Sequence, residues 1–228
     1  MEEEQLKTFV REELLALEER LTSAFQTYLS AENAKMQAML EKQEEVITRQ
    51  SEETRQLKIR VNELEQYSRR SNIQINNIPV VPDEKVETIV CEMAVAIGVP
   101  INFGVDIQAA HRVPTRGKSA QPIVVKFSNR QLRNKFIAEA KKHKLSCKDL
   151  NYTKQLPNEK IYVNDHLSSD NKKLLYEARK CVKVKSAKSA WSSGGKIYIK
   201  RNDTSAPVLI RDLIDLKTFQ SSFSSTVR

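Results

Sequence analysis

Glycine and proline are scarce in this 228-residue chain, with five and seven copies, and neither occurs before Pro79. A turn-rich β domain is therefore excluded from the first third of the sequence. Cysteine is scarcer still. Cys91, Cys147 and Cys181 are odd in number and far apart, which excludes a disulfide framework and points to a reducing compartment. No apolar run approaches a membrane span, and the longest candidate, Ile89 to Ile101, is broken by Glu92. The opening MEEEQLKTF is acidic, unlike a signal or transit peptide. There is no Gly-x-x-x-x-Gly-Lys-Ser/Thr loop and no Cys-x-x-Cys pair, and His111, His143 and His166 lack ligand spacing. Asp165, His166 and Ser168 lie too close in sequence to converge as a triad, and Ser168 suits a helix cap better. No catalytic residue, metal, cofactor or small-molecule substrate is expected, and the chain reads as a non-enzyme.

What is present is charge, unevenly distributed. The formal net charge is +9, from 38 Lys+Arg and 29 Asp+Glu. Residues 1–65 hold nine basic and fifteen acidic side chains (−6), which leaves 29 and 14 (+15) for residues 66–228. The acidic segment is rich in Glu, Gln, Leu, Ala and Lys and has no breaker, so it predicts one helix, roughly 100 Å long for about 65 residues. So long a helix needs partners in water. Heptads supply them: Leu40, Ile47, Thr54 and Val61 fall at a, and Gln43, Gln50, Leu57 and Leu64 at d. Leu14, Leu17, Leu21, Ala24 and Tyr28 make a second seam in another register. Residues 1–67 are thus expected to form a parallel coiled-coil stalk. The β-branched a positions favour a dimer by core shape. Arg60-Val61-Asn62-Glu63-Leu64-Glu65 resembles a short trimerisation pattern in which Arg60 pairs with Glu65 of a neighbouring helix. A homotrimer is the first expectation and a dimer the second.

After Tyr67 the hydrophobic period changes to two. Asn72 to Ile78 alternates as a strand that stops at Pro79. Asp83 is expected to cap a helix over Val86–Ile97. Strands follow at Ile107–Val113 and Ile123–Phe127, then a helix over Arg130–Lys144 and a strand at Lys160–Asn164. This β-α-β-β-α-β order over 70–164 is the split βαβ of the ferredoxin-like fold, shared by RNA-recognition modules. Residues 165–219 predict a small α/β unit. It has a helix capped by Ser168 or Ser169, a hairpin turning at Gly194-Gly195, and a short helix over Leu209–Leu216. Residues 220–228 read as a frayed tail. The fold class is α+β.

A coiled coil followed by Tyr67-Ser68-Arg69-Arg70-Ser71-Asn72 running into the first strand resembles the first-open-reading-frame RNA-binding proteins of long interspersed element retrotransposons. It is similar as well to the related baculovirus few-polyhedra (FP) proteins. The resemblance spans about residues 40–218. It implies a trimeric RNA-recognition-fold protein that coats single-stranded nucleic acid and acts as a chaperone. Carried over residue by residue, it implies nucleic-acid contacts at Arg69 and Arg70, at Arg112 and Arg116 of an Arg-x-Pro-x-Arg-like loop with Lys118 beside them, and at the basic helix end Lys141, Lys142 and Lys144. Arg179 and Lys180 align with a family arginine pair, and Ser186-Ala187-Lys188 resembles a Pro-Ala-Lys segment near the cleft. Lys185 stands where the family has an aromatic, which weakens base stacking there. Arg133 is added as an exposed cation of the same helix.

The middle strands, Ile73/Ile75 and Ile123/Val125/Phe127, are mostly aliphatic, so bases are not expected to stack on that sheet. Trp191 reads first as a core residue, with Trp191, Tyr198 and Tyr162 the remaining aromatics available for stacking. Binding would then come mainly from phosphates in a groove between the two units. Roughly six neutralised phosphates per protomer would give a log–log salt slope of about −4. The expected partner is single-stranded RNA, with DNA as a second substrate, alongside self-association through Leu40, Ile47, Leu57, Arg60, Val61, Leu64 and Glu65. No membrane partner is expected. The expected compartment is the cytoplasm, in ribonucleoprotein particles, with the nucleus left open. The rival reading is a coiled-coil protein-interaction scaffold whose RNA-recognition-like fold does not bind RNA.

Overall fold

The structure, a computed structural model, describes residues 2–115 and 120–224. Its first element is α1 (Glu2–Ser68), and the chain divides into two units, residues 1–58 and 59–228. In the first unit the helix carries intrahelical ion pairs, Lys7–Glu3 at 3.1 Å and Lys35–Glu32 at 2.7 Å. Its predicted seam residues Leu14, Leu21, Leu40, Ile47 and Leu57 are all exposed, Leu57 to 63%. Among the described residues no helix is long and apolar enough to cross a membrane.

The second unit holds two antiparallel sheets. Strands β1 (Asn72–Asn76), β2 (Ile107–Arg112), β3 (Ile123–Phe127) and β4 (Tyr162–Asp165) form the first, in the order β2-β3-β1-β4. Helices α2 (Val86–Ala96) and α3 (Arg130–His143) join them. Alternation decides the faces. Ile73, Ile75, Ile123, Val125 and Phe127 enter one core with Ile89, Val90 and Met93 of α2 and Phe136 and Ile137 of α3. The opposite face carries Gln74, Asn76 and Asn164, with Tyr162 exposed at the edge strand.

One local expectation gives way here. Asp83 does not cap α2. It takes a left-handed turn (φ 57°), its carbonyl accepts from the Tyr152 hydroxyl at 2.9 Å, and the N-cap is Lys85, with no side-chain bond. Helix α3 instead has a genuine cap, Asn129, whose side chain accepts from the Gln131 N–H at 2.7 Å.

The second sheet lies within the C-terminal part. Helix α4 (Ser169–Lys183) leads to β5 (Ser189–Ser193), β6 (Lys196–Lys200) and β7 (Val208–Ile210), paired in that order, and then α5 (Leu213–Ser224). Ser168 caps α4, its hydroxyl accepting from the Asn171 N–H at 3.2 Å. Gly194 and Gly195 turn the β5–β6 hairpin at φ 59° and 83°, a geometry that demands glycine-like residues. The expected helix over Leu209–Leu216 is two elements. Val208–Ile210 is a third strand, pairing Leu209 with Tyr198, and the helix begins at Leu213. Nor does the chain fray at Gln220: Phe219 is buried, and Arg201 donates to the Phe219 carbonyl at 2.9 Å.

Candidate functional site

Two of the predicted contact arginines are internal. The Arg112 guanidinium has all five donors engaged. It pairs with both carboxylate oxygens of Glu84 and donates to the carbonyls of Ile78 at 2.9 Å, Pro79 at 3.0 Å and Gln121 at 2.6 Å. Burial alone would raise the Glu84 carboxyl, but the Arg112 bonds outweigh it and hold the group below its usual range. Arg133, expected at the surface, is buried. It pairs with Asp165 and donates to the Asn72 carbonyl at 3.0 Å, and the other Asp165 oxygen accepts from the Gly195 N–H at 3.4 Å. Neither arginine has a face left for phosphate; each ties loop to sheet or helix to sheet. Arg116 and Lys118 lie outside the described residues.

The end of α1 docks through a polar hub. The Gln66 side-chain oxygen accepts from the Ser168 N–H at 2.9 Å and the Asn171 amide at 3.2 Å, while its amide donates to the His166 carbonyl at 3.0 Å. Asn62 accepts from the Ser168 hydroxyl at 2.6 Å and donates to Asn171 Oδ1 at 2.8 Å. Arg69 turns into this hub. It pairs with Glu65 at 2.6 Å and donates from Nη1 to His166 Nε2 at 2.9 Å. The His166 proton then sits on Nδ1, 3.3 Å from the Asn72 side-chain amide. The carboxamide orientation that puts Oδ1 there gives an acceptor to Nδ1–H, and a partner to an oxygen that is otherwise buried without one. Burial first, then the Arg69 charge, push His166 from 6.5 down to about 4, so the ring is neutral at pH 7.

Arg70, the neighbour of Arg69, faces elsewhere. Its guanidinium lies 3.6 Å from the centroid of the Tyr67 ring and lines a cleft of about 430 Å³ between the end of α1, the start of α3 and the β5–β7 sheet. The cations around this cleft are Arg70, Arg130, Lys196 and Arg211, against the single carboxylate Glu63. Arg130 is the first residue of α3, where a cation is disfavoured by the helix dipole, so helix stability does not explain it. Asn171, in the first turn of α4, and Arg211, just ahead of α5, bring two further helix starts to the same rim. Such a site attracts anions by side-chain charge.

The wall of the cleft nearest α4 and the hairpin belongs to a segment with known relatives. Residues 168–220 match the family model for baculovirus FP protein domain 2. The match begins at the Ser168 cap and runs through α4 and β5–β7 into α5. A search of curated proteins finds no match to the chain.

Within this FP-like segment Arg179 is exposed on α4, Lys180 pairs with Glu177 at 2.8 Å beside the Tyr176 ring, and Lys188 pairs with Asp203 at 3.3 Å. None of the three lines the cleft. Lys141 and Lys144 border a separate hollow of about 290 Å³ with Lys160 and Tyr162, and Lys142 is held by Glu139 at 2.7 Å. Of the predicted contact residues that are described, Arg70 is the one on the cleft. Sequence reasoning missed Lys196 and Arg211, and took Arg130 only as the start of a helix. The dipole-opposed position of Arg130 was the one available signal.

The predicted oligomerisation residues Val61 and Leu64 are 64% exposed. Glu65, expected to serve a neighbouring helix, is held by Arg69 of its own chain. Arg60 is exposed.

Proposed function

We propose that this protein is an oligomeric, single-stranded nucleic-acid-binding protein of packaging or chaperone type and not an enzyme. In plan it follows the retrotransposon first-open-reading-frame proteins and the baculovirus FP proteins. The observation that carries this reading is the cleft where Arg70, Arg130, Lys196 and Arg211 face one carboxylate. Cations on separate elements can follow a phosphate path without a fixed base sequence. The antiparallel four-stranded sheet, in the order β2-β3-β1-β4 with two helices, supports a ferredoxin-like plan of the kind RNA-recognition modules share, and with it the same reading. The exposed apolar positions of α1 support self-association, as a homotrimer first and a dimer second. Ribonucleoprotein particles in the cytoplasm are the proposed setting.

The test is binding of labelled single-stranded RNA across a salt series. Four cleft cations predict a log–log slope of about −3. Binding that is absent or independent of salt would overturn the proposal in favour of a protein-interaction scaffold. Sedimentation at the monomer mass would overturn the oligomer.

A further inference from the structure

The β5–β6–β7 sheet has one covered and one open face. Ile197, Ile199 and Ile210 are buried against α4 and α5. The alternate positions place Trp191, Tyr198 and Leu209 in register across the middle of the other face. Trp191 was expected in the core, yet it stands outside the buried cluster and is only half-buried, as is Tyr198. Their rings are nearly parallel, 22° apart in plane, with centroids 5.9 Å apart. Lys196 and Lys200 flank Tyr198 on the same face of β6, and none of the side chains that β5 and β6 contribute to this face is acidic. Lys196 and Leu209 also line the basic cleft, so the aromatic row begins at its rim.

We propose that Trp191 and Tyr198 form a stacking platform for unpaired bases of a strand whose phosphates follow the cleft. This rests on the nucleic-acid reading above and adds the means of selecting single strands. Every unpaired base offers a π-face, whereas bases in a duplex are already stacked on one another. The sheet holds the two rings in place before binding, so little side-chain freedom is lost when a base lands on them. Lysines beside the rings neutralise phosphates without discriminating between bases. The result is a preference for unpaired over paired strands with little preference among sequences.

Trp191 is the single tryptophan of the chain, so its emission reports on the platform directly. The full-length protein is titrated with three labelled ligands: a 15-nucleotide oligouridine, an abasic phosphodiester of equal length, and an RNA duplex. Anisotropy reads binding and tryptophan emission reads stacking. Oligouridine should quench Trp191 with the same midpoint as the anisotropy change. The abasic strand should bind about tenfold more weakly and leave the emission unchanged, as should the duplex. Tyr198→Ala should weaken oligouridine binding about tenfold and leave abasic binding unaltered, while Trp191→Phe, which keeps a ring, should stay within about threefold of the parent. Equal affinity for oligouridine and the abasic strand, with unchanged emission, overturns the platform and leaves the cleft reading standing. Absence of binding to all three ligands overturns both. The emission and ligand comparisons use the unaltered protein and decide the matter even if a variant fails to fold.

Discussion

In the four-stranded domain Arg112 and Arg133 are enclosed and each faces a carboxylate, whereas around the cleft Arg70, Arg130, Lys196 and Arg211 share one, Glu63. Arg130 and Arg133 make the contrast within a single turn of α3. One lines the cleft from the first helical position, and the other is buried against Asp165. A guanidinium in a low-dielectric interior must be paired and fully hydrogen-bonded, and once it is, it has nothing left to offer a ligand. A guanidinium at a rim keeps its hydration and its field. Positive charge in a sequence therefore predicts nucleic-acid contact only after the internally paired share has been removed.

The largest effect should come from breaking the interior set. Arg133→Ala leaves Asp165 buried and unpaired, and urea denaturation should show a loss of about 3–5 kcal/mol. Arg70→Ala and Arg130→Ala should do the opposite, leaving the urea midpoint within error of the parent. Each should also reduce the salt slope of RNA binding by about 0.7, with affinity falling severalfold at low salt. If Arg70→Ala unfolds the protein while Arg133→Ala only weakens binding, the division between the two sets is wrong.

Arg69→Ala separates the adjacent pair. Losing its bonds to Glu65 and His166 should cost about 1–2 kcal/mol, with RNA affinity altered less than by Arg70→Ala. A further effect comes with pH. His166 is held near 4 in the folded chain against 6.5 unfolded, so the unfolded state binds the proton first. Its contribution to stability is complete above pH 6.5 and is lost as pH falls toward 4. The thermal midpoint should drop between pH 7.5 and 5, above the range in which Glu84 is protonated, and His166→Gln should flatten that drop.

Much of the architecture was legible because it is written in local periods. Ile73/Ile75 and Ile123/Val125/Phe127 alternate, Gly194-Gly195 marks its own turn, and Ser168 precedes its helix by one residue. The strand β7 was illegible because Val208-Leu209-Ile210 has only three residues, too few to distinguish from the start of an apolar helix. The site was less legible than the fold. Glu84 lies 28 residues from Arg112 and Asp165 lies 32 from Arg133, and no local pattern announces pairs at that separation. Lys196 and Arg211 join Arg70 only when the sheet folds back onto the end of α1. Trp191 was misplaced for a related reason: burial statistics for a lone tryptophan carry no information about which face of a short strand lacks a covering layer.

The two glycines of the hairpin have unequal informational weight. A Cβ at Gly194 would meet nothing within 4 Å, so residues at ease in a left-handed turn, asparagine above all, are admissible there. At Gly195 the same atom would fall 2.6–2.7 Å from the Gln66 side chain, against the hub that holds the end of α1. The first position answers to the turn alone, the second to the turn and to an element more than a hundred residues earlier. Among variants that remain folded, drift toward asparagine should be permitted at 194, while 195 should stay glycine even where residue 66 changes.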